Sequence, residues 1–330
     1  MSPANSSASK PEPGGPPPRP PEAVPAKPNS RPLELQDPLN RFIYHPLAHR
    51  LAKALSHTPV TPNMVSVFGG LMVVAAGIIY WGMGPWAKDG WFWAWPVGAL
   101  AGMALHLSWH VVDGADGDLA RMTGRASPIG EIVDGLCDYA SHVVLYVLLA
   151  AVLQRSIGGW AWPIMVAAGV SHAIQANHVE VERRFYLAWI YGVPWLHHTR
   201  AKSPGLTGAM RIFQPLVALY MGLAAGLTPR AEAIDTVVTA AADDPARRAR
   251  IRTVIGEERR PLLPLLKVLG PNPRAIVLGL AMIAGSPLWF FGYEALVLNA
   301  LLALSLRLHD RAAQRIGARF TSEAIIDGLD

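Results

Sequence analysis

Residues 113–138 read DGADGDLARMTGRASPIGEIVDGLCD, and the spacing of the acidic residues in this run decides the reading of the whole chain. On a helix Asp113 and Asp116 are three apart and Asp134 and Asp138 four apart, so each pair projects from one face. Two helix ends can therefore present four carboxylates to one pocket. Carboxylates gathered at the edge of a bilayer repel each other and are costly to desolvate, so they persist where cations neutralise them. Hard oxygen ligands favour Mg²⁺ or Mn²⁺, and two such ions about 4 Å apart can clamp the attacking and leaving oxygens of a phosphoryl transfer. Arg121 is placed to meet a phosphate, and Gly117, Ala120 and Gly130 leave room for a nucleotide to approach the backbone. Asp118 points away from the Asp113/Asp116 face and reads as a solvated loop residue.

The flanks of this run place it in a membrane. The 330 residues are 51% hydrophobic and only 16% charged, too little polar surface for an ordinary soluble domain of this size. A spanning helix needs about 20 mostly apolar residues. Segments near 63–83, 91–112, 131–154, 158–177, 209–228 and 275–306 meet or approach that length, so the expected fold is all-α, a polytopic bundle of six transmembrane helices. The last segment is interrupted by Gly285-Ser286-Pro287 and reads as a kinked helix or as two short crossings. With the N-terminal end in the cytoplasm, loops 113–130 and 178–208 share that face and carry its Arg and Lys, as positive-inside topology requires. Residues 229–274 strain the rule: counting spans would put them on the opposite face, yet between 230 and 267 they hold eight basic residues against six acidic ones, which leaves their side open. The formal charge of +5 comes from small clusters between apolar stretches, which suit membrane lipids or phosphate substrates and not nucleic acid.

Residues 1–38 hold 12 of the 29 prolines and hardly any large apolar side chain, so a disordered tail is expected there. The tail has no apolar stretch after its first basic residue and is not a secretory signal, so insertion relies on the internal spans. Over 39–58, Leu39, Phe42, Ile43, Leu47, Leu51 and Leu55 recur at helical spacing among basic residues, which predicts an amphipathic interfacial helix that Pro46 can kink. Residues 59–310 then form the spanning domain, with an amphipathic insertion at 229–274, and 311–330 form a C-terminal tail. Cys137 is the only cysteine, so no disulfide forms within these residues.

An isolated pair of intramembrane aspartates reads equally well as a proton or ion path in a transporter, but the full spacing is more specific. It matches D-x2-D-G-x2-A-R-x8-G-x3-D-x3-D at every fixed position, and in this the chain resembles the CDP-alcohol phosphotransferase (CDP-alcohol phosphatidyltransferase) family. Thr61-Pro62-Asn63 also resembles the cluster with which that family opens its first span. The resemblance implies six spans, an N-terminal interfacial helix, a cytoplasm-facing polar cavity and a homodimer. It implies further that Asp113, Asp116, Asp134 and Asp138 bind two Mg²⁺ or Mn²⁺ ions and that Asp138 is the general base. Gly117, Ala120, Arg121, Gly130, Thr61 and Asn63 would line the cytidine diphosphate site, and a substituted phosphate would pass from a CDP-alcohol to an alcohol acceptor with release of CMP.

The family divides by substrate. Arg125, Arg183, Arg184, Arg200, Lys202 and Arg211 fall near the cytoplasmic end and suit the phosphate of an inositol phosphate or glycerol phosphate acceptor, with CDP-diacylglycerol as donor. Ser127-Pro128-Ile129-Gly130-Glu131, and Cys137 before Asp138, look more like the choline and ethanolamine phosphotransferases, which pair a CDP-headgroup with diacylglycerol or ceramide. Tyr139 stands where inositol-phosphate enzymes usually place an arginine. His106, His110 and His142 flank the aspartate helices, and His172, Gln175 and Asn177 lie near the end of the fourth span.

Overall fold

The computed structural model describes residues 32–88, 94–193, 228–241 and 243–326, and every regular element among them is helical. In chain order these are α1 (His45–Leu55), α2 (Pro62–Lys88), α3 (Ala94–Met122), α4 (Pro128–Ile157), α5 (Ala161–Tyr186), α6 (Ala231–Ala240), α7 (Pro245–Arg259), α8 (Leu263–Val268), α9 (Pro271–Ile283), α10 (Leu288–Gly292) and α11 (Leu298–Ile326). Four stretches are long and apolar enough to cross a membrane: Pro62–Gly84, Val133–Tyr191, Pro245–Ile283 and Leu288–Ser322. The second contains both α4 and α5, separated by a tight turn at Gly158–Trp160. Of the six expected spans, 209–228 lies outside the described residues.

The run 113–130 was expected to be a loop, but α3 continues through its aspartates to Met122. The helix ends only where Gly124 takes φ 65°, a left-handed conformation that glycine adopts without a Cβ penalty. The Arg125 N–H then returns to the Ala120 carbonyl at 2.8 Å, closing a Schellman turn. Three residues later α4 starts on a Ser127 cap whose hydroxyl accepts from the Gly130 N–H at 3.1 Å, with Pro128 in the first turn. A short α3–α4 connection thus sets both aspartate pairs at one end of the bundle. Asp118 is correspondingly a helical residue and no loop side chain; it pairs with Arg121 one turn on and lies 3.6 Å from His49 Nδ1.

α2 packs between α3 and α4, and the main core joins Tyr80, Met83, Trp109, Leu145, Leu149, Leu278, Met282 and Phe291. Without a hydrophobic drive between helices in lipid, close contact depends on small residues. A Cβ on Gly102 would sit 2.4 Å from the Tyr80 ring, which is itself fully buried. The expected interruption at Gly285-Ser286-Pro287 is a reversal: Gly285 takes φ 93°, and the chain turns from α9 into α10 and α11. The α9 end meets α3 where Trp95 donates to the Met282 carbonyl at 2.7 Å. The returning arm follows α5, with Gln175 bonded to Asn299 and His178 to Ser305.

Two sequence expectations are corrected here. Residues 229–274 do not lie on the face opposite the aspartates. Ala231, Ile234, Ile251, Val254 and Ile255 pack on Val181, Phe185 and Trp189 at the end where α5 leaves the bundle, and α5 is antiparallel to α4, so this is the aspartate end. Arg259, one of the basic residues of this segment, is buried in a pair with Glu182. The expected tail also stops short of residue 38. Glu34 accepts from the Tyr186 and Tyr191 hydroxyls at 2.6 and 2.7 Å and from Arg260 at 3.0 Å, while Asp37 accepts from Asn272 at 2.7 Å. Before Pro46 the chain forms a π-helical turn over Asn40–Tyr44, from which α1 starts at His45 with Pro46 in its first turn.

Two outcomes follow. Gly102→Leu overpacks the Tyr80 contact and should cost about 1–3 kcal/mol, read as a lower melting temperature in detergent. Burial pushes the Glu34 carboxyl up, but Tyr186, Tyr191 and Arg260 outweigh it and hold it below its ordinary value of 4.5. The strap at 32–38 is therefore held fully above that value and loosens as pH falls through the lower folded one. Hydrogen exchange of residues 32–38 should show this loss, and Glu34→Gln should abolish its pH dependence.

Candidate functional site

The α3–α4 corner brings the acidic residues together as their spacing requires. Asp113, Asp134 and Asp138 each offer a carboxylate oxygen, and the three oxygens lie within 4.8 Å of one another. Asp116 stands beside them, 5% exposed, and accepts a 2.5 Å bond from Ser66 on α2. All the available donors are carboxylate oxygens, with no thiolate or imidazole among them, which suits a hard divalent cation such as Mg²⁺ or Mn²⁺. Ser66 is a site residue that the sequence reading missed. Its signal was present as a polar residue in the apolar run of α2, facing the helix that carries Asp116.

The residues expected around a nucleotide divide into two groups. Asn63, at the start of α2, and Gly130, at the start of α4, are brought together: a Cβ on Gly130 would lie 3.8 Å from Asn63 Oδ1. Gly117 and Ala120 are half-buried on the last turns of α3, and Arg121 lies over Gly117, where a Cβ would be 3.4 Å from its Nη1. Thr61 instead caps α2, its hydroxyl accepting from the Met64 N–H at 3.3 Å. The Arg121 guanidinium is held by Asp118, so it reaches a phosphate only by leaving that partner.

The basic residues assigned to an acceptor also divide. Arg125 is exposed beyond the end of α3. Arg183 and Arg184 both bond Glu180, at 2.8 and 2.5 Å, so two guanidiniums and one carboxylate leave a single net positive charge on that turn. Glu180 is a second residue that the sequence reading passed over, and the i, i+3 and i, i+4 offsets to the two arginines were its signal. Arg200, Lys202 and Arg211 lie outside the described residues.

The family of the chain is decided over this same region. The CDP-alcohol phosphatidyltransferase family matches residues 59–229, which is more than half of the chain and contains all four aspartates. The chain belongs to that family. It is 27% identical over 172 residues to ethanolaminephosphotransferase 1 of Pongo abelii and to that of Homo sapiens, covering 48% of this chain and 41% of each relative. It is 29% identical over 146 residues to the archaetidylinositol phosphate synthase of Aeropyrum pernix, covering 42% of this chain and 68% of that protein. The chain thus spans about two-fifths of the length of its ethanolamine relatives. Membership and the four apolar stretches together make it an integral membrane protein.

The Ser66 contact gives a direct test of the family site. Groups that orient metal-binding carboxylates typically contribute about 10–100-fold to affinity. Ser66→Ala should weaken Mn²⁺ binding by about that factor, measured by titration of the purified protein, with little change in melting temperature.

Proposed function

We propose that the chain is a divalent-metal-dependent phosphotransferase that moves a substituted phosphate from a CDP-alcohol to an alcohol acceptor and releases CMP. The observation that carries this reading is the convergence of Asp113, Asp134 and Asp138, with Asp116 braced by Ser66, in a chain of this family. Asp113, Asp116, Asp134 and Asp138 would hold the ions, which when bound neutralise the diphosphate and the charge that develops on the leaving group. Asp138 takes the proton of the acceptor hydroxyl, and that oxygen forms a bond to the phosphorus bearing the donated alcohol. The phosphoanhydride bond breaks and CMP departs with the electron pair. Arg121 exchanges Asp118 for a phosphate oxygen, and Gly117, Ala120, Gly130 and Asn63 shape the nucleotide side of the pocket, next to the α2 cap at Thr61.

For substrates, the net positive turn at Arg183 and Arg184 supports CDP-diacylglycerol with a phosphate-bearing acceptor such as inositol phosphate or glycerol phosphate. Glu180 between those arginines, and the ethanolamine relatives, support the second reading: a CDP-linked amino alcohol donor with diacylglycerol or ceramide as acceptor. A carboxylate-lined transporter is disfavoured, because the four aspartates gather at one end of the bundle and the deeper Glu294 is held by Arg274. Six spans remain the expectation from the family resemblance, supported by the four apolar stretches at Pro62–Gly84, Val133–Tyr191, Pro245–Ile283 and Leu288–Ser322. A cytoplasmic active site is supported by Arg121, Arg125, Arg183, Arg184 and the basic residues of α7 on one end. We retain the homodimer, and the interfacial placement of α1 with Phe42, Ile43 and Leu47 exposed, as parts of the same proposal.

The test is CMP release by purified protein with Mn²⁺ or Mg²⁺, comparing CDP-diacylglycerol plus a panel of alcohols with CDP-ethanolamine or CDP-choline plus diacylglycerol. One pair should release CMP, and Asp138→Asn should lower kcat by a factor of 100 or more, on the order expected for loss of a general base. No release from any pair by folded, metal-loaded protein would overturn the proposal.

A further inference from the structure

One turn inward from the aspartates, the same helices carry histidines. His110 precedes Asp113 by three residues, His142 follows Asp138 by four, and His106 lies a further turn in on α3. At about 1.5 Å rise per residue these rings sit about 4–6 Å deeper than the carboxylates. His172 on α5 completes the group. The rings form a continuous layer, with centroids 6.4 Å apart for His106 and His110, 5.7 Å for His106 and His142 and 6.2 Å for His142 and His172. Trp109 fills the angle between them, 4.6 Å from His110 and 4.9 Å from His142.

The hydrogen bonds fix what two of these rings offer. His142 Nδ1 lies 2.8 Å from the Asp138 carbonyl, and a carbonyl only accepts, so Nδ1 carries the hydrogen. In its neutral form the ring therefore offers Nε2 as an acceptor. His172 is the opposite case. Its Nδ1 is met by the Arg274 Nη1 at 2.9 Å and the Tyr146 hydroxyl at 3.1 Å, both of which can donate, while the Glu294 carboxylate, which only accepts, is farther off at 3.5 Å; the two shorter contacts favour Nδ1 as the acceptor and Nε2 as the nitrogen that carries the hydrogen. The arginine brings no free charge, because the same Nη1 bonds Glu294 at 2.6 Å, a fully buried carboxylate. His172 keeps 24% of its side chain accessible. On α3, His106 Nδ1 and His110 Nε2 are buried and have no hydrogen-bond partner. Orphaned buried polar atoms of this kind mark a place for a water or a ligand.

A fixed acceptor beside a fixed donor, with two further unsatisfied nitrogens and no net charge, is a poor match for a phosphate, which accepts, or for an ammonium, which donates. It matches hydroxyl groups, which do both. Resting on the phosphotransferase reading above, we propose that His106, His110, His142 and His172 form the floor of the acceptor site and bind the hydroxyl-bearing part of the alcohol beneath Asp138. The neutral floor would hold the alcohol while the aspartate rim handles the diphosphate.

The experiment measures CMP release by purified protein with Mn²⁺, with donor and alcohol varied separately. The variants are His110→Phe and His172→Phe, which keep a ring and lose its nitrogens, and His172→Gln, which returns an N–H near the Nε2 position. Each Phe variant should raise the KM for the alcohol by about tenfold, the effect of leaving one polar group unsatisfied. The donor KM and the Mn²⁺ midpoint should stay within twofold of wild type, and Gln should recover most of the alcohol KM lost in His172→Phe. Unchanged alcohol KM in both Phe variants, a fall in kcat alone, or Gln behaving as Phe would overturn the floor while leaving the phosphotransferase intact. Wild-type protein that releases no CMP with any pair would overturn both.

Discussion

The mutual repulsion of four carboxylates in a low-dielectric setting is the constraint around which the rest of this chain is arranged. Such a cluster is tolerable only at the edge of the bilayer, within reach of divalent cations and braced by neutral donors. The α3–α4 corner meets the first requirement, because the helix runs through Asp113 and Asp116 before Gly124 turns it and Ser127 restarts it. Ser66 meets the second by donating to Asp116 from α2. The close packing of α2 on α3, which the bare Gly102 backbone permits against Tyr80, therefore also holds that donor in place.

Most of this corner was legible in the sequence, because helical spacing alone puts each aspartate pair on one face. Less legible was the state of the intervening residues. Gly114, Gly117 and Asp118 suggested a loop, since glycine and aspartate are weak helix formers, and tertiary packing against α1 and α2 overrode that preference. Arg121, Arg183 and Arg184 were read as phosphate-binding cations, and in the structure each also has an acidic partner about one turn away. The i, i+3 and i, i+4 offsets were visible beforehand, but the sequence does not say whether such a pair forms or a substrate takes the arginine.

The side of residues 229–274 was the largest question the sequence left open, and its cause was topological. Hydropathy counts crossings, and one crossing assigned to 209–228 sends everything after it to the far face. The packing of Ala231, Ile234 and Ile251 on Phe185 and Trp189 returns that segment to the aspartate end. The strain in the positive-inside pattern then disappears, because Arg247, Arg248, Arg250 and Arg252 join Arg121, Arg125, Arg183 and Arg184 on one face. The reversal at Gly285, legible only as one of two options, sends α9 into the returning α10–α11 arm.

α5 ties this later part of the chain to the aspartate hairpin, through two buried ion pairs. Arg274 and Glu294 bind each other and His172, and Arg259 binds Glu182 with His309 nearby. Buried pairs of this kind contribute little net stability over well-packed apolar residues, while loss of one partner is costly. Their consequence is positional: Arg259–Glu182 fastens α7 to α5, while Arg274–Glu294 closes the returning arm on itself and meets α5 at His172. That restraint fixes which nitrogen of His172 bears its hydrogen, and it consumes every charge near the histidine layer. Residues more than 100 positions downstream of His172 set the hydrogen-bonding character of a surface beside Asp138, which is why the aspartate motif alone does not define the acceptor.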